Sequence, residues 1–503
     1  MPAHPGYSTC RKNSASPILP ATMQPPISAS GARGHNEQSR SLQLDFIRGF
    51  AILMVLGRHP TWYPQFAGKL EGFAHVWALF GLTAIDLFFV LSGFLIGGLL
   101  FKEWKQSGRI DTVRFLIRRG LKIWPAYFVY VVFVLLAYIW EGTHGTPRQV
   151  VALMLPNFVH LQSYILTPAV HTWSLAVEEH FYLALPFIVA LASNPQPAWR
   201  KALRVFVLLI AAYAALLTLT YFLLHWLTLG AAPLEMQEYL RSYLNPRFLL
   251  FLGVQLTIIT AFLTFAPCLR PAEGKHFPAI PLIAFGMLTL GLALRIVSQQ
   301  MKEQLGLNWT FLFFSTHLRT DNIFFGVMLG YLNHLHPEVL KSILQRRRWL
   351  LLGGALFVLA GIVAPEWGGE FFYMPGFTVL GLGYAALLMA VVFTPLGEGL
   401  LGKFLASRLS RLIAWVGLHS YSIYLWHLNP FRYRFDKWFY EALQPWLPVT
   451  ARWAIVMAVY VVLSCLYGAA LGKLIEQPLL HWRDRIFPAR ADALAELRVA
   501  AVR

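Results

Sequence analysis

Residues 82–101 read LTAIDLFFVLSGFLIGGLLF, and Asp86 is the one charged residue in this run of twenty. A helix needs about 20 predominantly apolar residues to cross the hydrocarbon core of a bilayer. Eleven other apolar runs approach that length, while 150–167 is shorter and is expected at the membrane interface. The sequence therefore predicts an all-α fold, a polytopic transmembrane helix bundle of ten to twelve spans. The candidate spans lie near 44–64, 82–101, 121–140, 171–192, 203–225, 247–267, 279–297, 311–333, 349–364, 377–395, 411–430 and 452–474.

The composition of the whole chain indicates the same class of protein. Of its 503 residues 57% are hydrophobic and 13% are charged, and the mean hydropathy is +0.54. A soluble chain carries roughly 25% charged residues, so these charges are too few to cover a soluble surface of this size. Collagen, coiled-coil, disordered and disulfide-rich secreted proteins are excluded. The three cysteines, Cys10, Cys268 and Cys465, lack the spacing of a metal or redox site, and no metal is expected.

The charge balance is basic, with 42 Lys and Arg against 24 Asp and Glu and a formal charge of +18. Basic cytoplasmic loops explain most of such an excess in a membrane protein. The basic segments 102–122, 199–204, 341–348 and 403–411 share one side of the membrane if both termini are cytoplasmic. Anionic ligands or membrane lipid headgroups would account for the remainder. No basic soluble domain is left over, so nucleic acid is not an expected partner.

Three regions are expected along the chain. Residues 1–41 are polar and rich in Pro, Ser, Ala and Gly, which predicts a disordered N-terminal tail. Residues 42–480 contain the apolar runs and form the transmembrane domain. Residues 481–503 are expected to be a short cytoplasmic tail.

Charged and titratable residues inside apolar runs are costly, so each is a candidate for function. Arg48 and His59 are eleven residues apart, which is three helical turns plus about 20°, so both lie on one face. Their axial separation is about 16 Å, roughly half the hydrocarbon thickness. Arg48 could meet a phosphate, and His59 could act as a base. The alternative is an interfacial arginine and a histidine hydrogen-bonded within the bundle.

The next two runs carry an acid and a group of cations. Asp86 suits an ion pair with a neighbouring arginine as well as it suits catalysis, while Gly93 and nearby glycines allow close helix packing. Arg118, Arg119 and Lys122 lie within about one helical turn, which suits a phosphate clamp. The positive-inside rule explains the same cations without a ligand.

A pair of carboxylates, Glu178 and Glu179, lies a few residues into the run 171–192, and Tyr182 is one turn beyond the first of them. Such carboxylates need partners within the bundle. A carboxylate that orients an imidazole and stabilises its charged form is a known catalytic arrangement. A structural salt bridge is the alternative.

Two later runs also carry polar groups. Arg319 and Asp321 enter the run 311–333 together, either as part of a site or as an internally neutralised helix entrance. Tyr424 and His427 lie near one face of the run 411–430, which suits stacking on a sugar or another polar substrate. An aromatic belt at the interface is the competing interpretation.

Taken together, these segments resemble the acyltransferase-3 family of integral membrane O-acyltransferases over about residues 42–480. Two positions depart from the family pattern. Lys122 replaces the last arginine of an RRxxR element and loses the bidentate fork, and His180 stands where glutamine is usual. Many relatives carry an extra-cytoplasmic esterase-like domain, and this chain resembles the stand-alone form. The matching segments are LDFIRGFAILMVLGRH (44–59), IDLFFVLSGFLI (85–96), RRGLKIWPAY (118–127), WSLAVEEHFYL (173–183), LRTDNIFFG (318–326), SYSIYLWH (420–427) and EQPLL (476–480).

The resemblance implies transfer of an acyl group, usually acetyl, from a coenzyme A thioester to a hydroxyl. The acceptor would be a glycan, a glycolipid or a glycosylated small molecule, and the location a bacterial inner membrane. Acetyl-CoA or another acyl-CoA would be the donor substrate, and no permanently bound cofactor is expected. Direct transfer is the hypothesis, and a covalent acyl-histidine intermediate is the variant that the sequence leaves open.

The resemblance and the spacing together assign roles to residues. His59, with an ordinary imidazole pKa near 6.5, is the candidate general base, and Glu178 or Glu179 would orient it. The phosphates of the donor would be held by Arg48, Arg118, Arg119 and Lys122. The acceptor would be bound by Asp86, Trp173, Tyr182, Arg319, Asp321, Tyr424 and His427.

A membrane transporter is the alternative from another functional class. It would export a polar or anionic substrate through the bundle, and intramembrane charges with small-residue packing suit it equally well. The sequence has no visible inverted repeat, and the ordered set of motifs favours the enzyme.

Overall fold

The computed structural model contains helices joined by turns, and its described residues include no strand, which confirms the all-α prediction. Apart from Ser41, the predicted N-terminal tail lies outside the described residues, as does 489–503 of the predicted C-terminal tail. The described residues are 41–59, 67–142, 146–164, 167, 169–192, 199–228, 245–266, 279–307, 309–363, 369–428 and 435–488.

The described helices follow the apolar runs. Those of seven or more residues are α1 (Leu42–Arg58), α2 (Glu71–Ser107), α3 (Thr112–Glu141), α4 (Pro147–Phe158), α5 (Trp173–Ala192), α6 (Trp199–Thr228), α7 (Pro246–Phe265), α8 (Ala279–Gln300), α9 (Thr320–Leu335), α10 (Pro337–Gln345), α11 (Arg347–Val363), α12 (Phe377–Val392), α13 (Gly399–Leu405), α14 (Arg408–Leu418), α15 (Ser420–Trp426), α16 (Phe435–Ala442), α17 (Val449–Leu471) and α18 (Gln477–Ile486). Shorter helical segments lie at Gly68–Leu70, Val170–Thr172, Lys302–Leu305, Trp309–Phe314, Thr316–Leu318, Gly369–Phe371, Phe372–Gly376 and Gly472–Glu476.

Seven helical segments in the described part of the chain are long and apolar enough to cross a membrane, so the protein is an integral membrane protein. Three further predicted spans correspond to α1, α9 and α11, which have 17, 16 and 17 residues. At 1.5 Å per residue these helices reach about 24–26 Å, against a hydrocarbon core of about 30 Å. The predicted run 411–430 is divided between α14 and α15 at His419. The seven segments are Gly68–Ser107, Thr112–Glu141, Val170–Ala192, Pro246–Phe265, Ala279–Gln300, Phe372–Val392 and Val449–Ile486.

Glycines hold the central helices close together. A Cβ atom at Gly93 of α2 would lie 1.9 Å from the carbonyl oxygen of Ile323 in α9. A Cβ atom at Gly326 of α9 would lie 1.9 Å from the carbonyl oxygen of Val90 in α2. The backbones of the two helices therefore touch, as small residues permit in membrane bundles. A similar approach at Gly49 joins α1 to α14.

The C-terminal helix α18 returns to the beginning of α3. Arg118 of α3 pairs with Asp484 of α18 at 3.2 Å, and Arg114 donates a hydrogen bond to the carbonyl oxygen of Pro488. The start of α3 is capped by Asp111, whose carboxylate accepts the backbone N–H of Arg114 at 3.1 Å. This packing places the basic end of α3 beside α18.

Candidate functional site

The candidate site begins with the cations in the first turns of α3. Arg118 and Arg119 are consecutive, and because successive helical residues differ by about 100°, the two side chains meet different neighbours. Arg118 pairs with Asp484. The guanidinium carbon of Arg119 lies 3.9 Å from the Tyr182 ring centroid, and its Nη2 lies 3.9 Å from Oε2 of Glu178. Two arginines of the predicted phosphate clamp, Arg118 and Arg119, therefore lie in different surroundings.

A chain of hydrogen bonds holds Glu178 beside Arg119. The Tyr182 hydroxyl donates to Oε2 of Glu178 at 2.5 Å. Because that proton is engaged, the Ser92 hydroxyl donates to the Tyr182 oxygen. Nε of Arg119 is buried and has no acceptor in the part of the chain that the structure describes. Arg119 is thus fixed by an aromatic face and a carboxylate while one buried donor is left for a ligand.

Lys122 follows Arg119 by about one turn of α3. Its side chain is exposed, and its charged neighbours include Arg48, Arg119 and Glu476. Glu476 accepts a hydrogen bond from the Ser422 hydroxyl at 2.7 Å. The structure therefore groups Arg48, Arg119 and Lys122 from the predicted set. It adds Glu476, the first residue of the EQPLL segment, which had no role assigned from the sequence.

A second group of polar side chains surrounds His59, directly after α1. The His59 ring centroid is 4.9 Å from that of His427, and His427 is 5.4 Å from His171. The Tyr424 ring lies 5.8 Å from His427. His59, Tyr424 and His427 were candidates from the sequence. His171 was not a candidate from the sequence, although it lies two residues before the WSLAVEEHFYL segment.

Two of these imidazoles have a defined hydrogen-bond direction. Nδ1 of His427 is 2.7 Å from the Tyr424 carbonyl oxygen, and Nε2 of His171 is 3.2 Å from the Leu425 carbonyl oxygen. A carbonyl oxygen only accepts, so both of these nitrogens carry a proton. In the neutral rings the basic nitrogens are Nε2 of His427 and Nδ1 of His171. Among the described residues no group of three His, Cys, Asp or Glu could hold a metal ion.

The second glutamate, Glu179, also faces α3. It accepts a hydrogen bond from Nε1 of Trp124 at 2.7 Å. The described contacts of both glutamates therefore lie beside α3, whereas the ring described next to His59 belongs to His427. That a glutamate orients His59 stays a prediction.

His160 is a further residue that the sequence did not indicate. It lies in the turn after α4 with a positive φ of 55°, which is uncommon outside glycine. Its ring stacks on Tyr127 at 4.9 Å and lies 6.3 Å from Trp124. Both ring nitrogens are buried without a hydrogen-bond partner in the described chain, and burial lowers the pKa of His160 to about 4.

A fully buried ion pair joins α2 to the entrance of α9. Nη2 of Arg319 lies 2.6 Å from Oδ1 of Asp86, and both side chains have 0% exposure. The amide of Asn322 donates to the same carboxylate oxygen. The guanidinium carbon of Arg319 lies 3.5 Å from the Phe377 ring centroid, which is a close cation–π contact.

A second fully buried pair joins α8 to α9. Arg295 donates from Nη1 and Nη2 to the two oxygens of Asp321, at 3.1 and 2.8 Å. The Thr378 hydroxyl donates to Asp321 at 2.8 Å. Arg295 was not among the candidates from the sequence, although it is the one lysine or arginine inside the run 279–297.

These two pairs and Trp173 occupy the core of the bundle. Trp173 stacks on Phe314 with ring centroids 4.9 Å apart. Asp86, Arg319 and Asp321 are each paired with a charged residue of the bundle, as the alternative of structural ion pairs predicts. Their expected part in acceptor binding, together with that of Trp173, stays a prediction.

Comparison with known proteins agrees with the resemblance drawn from the motifs. The family model described as an acyltransferase domain, acyltransferase-3, matches residues 41–265. The peptidoglycan O-acetyltransferase OatA of Listeria monocytogenes is 23% identical over 405 residues, which cover 76% of this chain and 48% of that protein. The O-acetyltransferase OatA of Staphylococcus aureus is 30% identical over 158 residues, 29% of this chain and 24% of that protein. No solved structure matches the chain.

The matched region contains the first part of the candidate site. It includes α1 to α7, with Arg48, His59, Arg119, Lys122 and Glu178, whereas α9, α15 and α18 follow it. The chain spans about half the length of the first of these relatives and about a quarter of the second. Residues 41–265 of the chain therefore match the acyltransferase-3 family in sequence.

Proposed function

We propose that the chain is a membrane O-acyltransferase that moves an acetyl or other short acyl group from acyl-CoA to a carbohydrate hydroxyl. The observation that carries this proposal is the placement of Arg48 in α1 and of His59 directly after that helix. Arg48 is a charged neighbour of Lys122 in α3, and the ring of His59, eleven residues later, lies 4.9 Å from that of His427. An anion site in α1 and a basic group directly after its end are therefore separated by about 16 Å along the direction of the helix.

The cations would bind the donor. Arg48, Arg119 and Lys122 would hold the phosphates of acyl-CoA, and the buried Nε of Arg119 supplies a donor that the described protein leaves unused. Arginine forms charge-assisted hydrogen bonds to phosphate, which are stronger than neutral ones. Glu178 and Tyr182 would keep the Arg119 guanidinium in place. Arg118, paired with Asp484, would act at the edge of this site.

His59 would act as the general base. An alcohol is a weak nucleophile at neutral pH, and removal of its proton in the transition state contributes about 10²–10⁴ in rate. The acceptor oxygen would attack the thioester carbonyl while its hydroxyl proton passes to the imidazole. The C–S bond would then break, and the imidazolium would return the proton to the departing CoA thiolate. Nδ1 of His427 is directed to the Tyr424 carbonyl, so His427 would present its Nε2 towards the His59 imidazole. A direct transfer of this kind needs no acyl-histidine intermediate.

The acceptor proposed here is a carbohydrate. Two relatives are named O-acetyltransferases, and the Listeria protein is named for peptidoglycan. Tyr424, His427 and His171 combine aromatic faces with hydrogen-bonding groups, which suits a sugar. We further propose a bacterial inner membrane with both termini in the cytoplasm, because the basic segments then share the cytoplasmic side.

The test is acetyl-CoA binding and slow acetyl-CoA hydrolysis by the purified protein in detergent. We expect His59→Ala to retain binding and to lose hydrolysis by about 10²–10⁴-fold. The matched control is His336→Ala, since His336 lies after α9 and pairs with Glu338. Folded wild-type protein that binds no short acyl-CoA would overturn the proposal and favour the transporter. Exchange of labelled CoA into acetyl-CoA without an acceptor would replace direct transfer with an acyl-enzyme.

A further inference from the structure

A groove with a cavity of about 70 Å³ lies between α5, α6, α7 and the entrance of α9. Most of its wall is apolar, with Phe181, Leu209, Leu256 and Leu263 among the lining side chains. None of the residues described above as binding acyl-CoA or acting as the base lines it.

The groove is continuous with the surface that faces the lipid. Leu183 lines it and is 48% exposed on α5, a helix able to span the membrane. The neighbouring outer faces of α6 and α7 expose Leu208 and Val254, at 69% and 50%. Large apolar side chains at this exposure are covered by hydrocarbon in a bilayer. An occupant can therefore enter from the membrane without crossing water.

The inner end of the groove is polar and is formed by histidine and threonine side chains. Nδ1 of His180 is 2.8 Å from the Thr316 hydroxyl, and Nε2 of His317 is 2.7 Å from Oε1 of Gln255. Thr320 also lines the groove and is 7% exposed, and its hydroxyl has no hydrogen-bond partner in the described chain. Buried hydroxyls are nearly always paired, so this one indicates a missing partner.

The charge of the lining decides the class of ligand. No Asp, Glu, Lys or Arg occurs among the described residues that line the groove. A phosphate or carboxylate headgroup would be buried here without a cation, which is strongly unfavourable. An uncharged hydroxyl can donate to the Thr320 oxygen or accept its proton, and its hydrocarbon chain matches the apolar wall.

We propose that this groove binds a single-chain, uncharged membrane lipid that carries a hydroxyl group, with the hydroxyl at Thr320 and the chain between α5, α6 and α7. This binding site is additional to the proposed acyltransferase function and does not depend on it. Because binding needs no acyl-CoA, the site can be tested on protein with no donor present.

The probe is a long-chain alcohol bearing a photoreactive diazirine and an alkyne, applied to the full-length protein in lipid nanodiscs. Its control is the same chain ending in a methyl group. We expect the alcohol to label groove-lining residues of α5, α6 and α7, with labelling suppressed by excess unlabelled alcohol. Labelling spread evenly over the outer faces of the helices, or insensitive to the competitor, would overturn the proposal.

Two substitutions test the position of the site. Leu209→Trp fills the groove, whereas Leu208→Trp places the same bulk on the adjacent lipid-facing position. We expect the first to abolish specific labelling and the second to retain it. Equal labelling of the two variants would contradict the site.

Thr320→Val tests the hydroxyl while keeping the size of the side chain. We expect it to weaken competition by the alcohol by roughly 2- to 12-fold, the range for one neutral hydrogen bond, and to leave the methyl-ended probe unchanged. An unchanged preference for the alcohol would remove Thr320 from the site. If Leu209→Trp does not fold, this comparison and the competition experiment on wild-type protein decide the question.

Discussion

At the scale of single residues, Arg118 and Arg119 form a matched pair for testing the donor site. They are adjacent in sequence, yet Arg118 pairs with Asp484 at the edge and Arg119 lies on the Tyr182 ring. We expect Arg119→Lys to raise the Kd for acetyl-CoA at least roughly tenfold, because lysine loses the planar fork and charge-assisted hydrogen bonds are worth about 1.5–3 kcal/mol. Arg118→Lys should change the Kd little. Isothermal titration would measure both, and equal effects would contradict the assignment.

His160 gives a prediction about pH. Burial lowers the pKa of its imidazole to about 4, against an ordinary value near 6.5. The folded protein therefore favours the neutral ring, and the stability linked to this group is present above about pH 6.5 and is lost as the pH falls towards 4. The unfolding temperature should fall across this range in the wild type. It should fall less in His160→Asn, because this variant has no imidazole to titrate. Asparagine is the chosen replacement because it tolerates the positive φ. Identical pH slopes would show that His160 does not contribute.

At the scale of helices, the crossing of α2 and α9 depends on two glycines. Gly326→Val would force its Cβ against the Val90 carbonyl oxygen, so we expect a loss of about 1–3 kcal/mol or more from overpacking. Gly253→Val on α7 is the control, because no heavy atom lies within 4 Å of a Cβ built there. Thermal unfolding in detergent compares the two variants. A stable Gly326→Val protein would mean that the helices separate at little cost.

The buried pair between α8 and α9 gives a second prediction at this scale. Asp321→Asn would leave Arg295 buried without its counter-charge, and removal of one partner from such a pair costs about 3–5 kcal/mol. Asp484→Asn breaks the more exposed pair with Arg118, where the loss should be at most about 1 kcal/mol. Chemical unfolding in mixed micelles measures both losses. Similar losses would argue that α8 and α9 are held by packing alone.

At the scale of the whole molecule, the direction of insertion can be tested with reporter fusions. Positive-inside topology places the loop around Arg109 and the C-terminus in the cytoplasm and Gly142 on the other side. Alkaline phosphatase fused after Gly142 should be active, and fusions after Arg109 or Arg503 should be inactive. A green fluorescent protein fused after Arg503 should fluoresce. An active phosphatase after Arg503 would contradict the proposed orientation.

The sequence predicted the elements better than their partners, and the reason is physical. A membrane-spanning helix can be recognised from one segment of sequence alone, by the length of its apolar run. Which side chains meet is decided by helix packing, so His59 and His427 become ring neighbours although they lie at opposite ends of the domain. An ion pair with an arginine was one of two interpretations of Asp86, and only the crossing of α2 and α9 selects Arg319 as the partner. The groove exists only between helices, and no single segment could have indicated it.

The return of α18 to α3 also sets an order of events during synthesis. Arg48 and Lys122 emerge from the ribosome early, whereas Glu476 and Asp484 follow only after most of the chain has been translated. A nascent chain therefore carries its cations long before the acids that lie beside them in the finished protein. Synthesis that stops before α18 would therefore leave Arg118, at the edge of the proposed donor site, without its Asp484 partner.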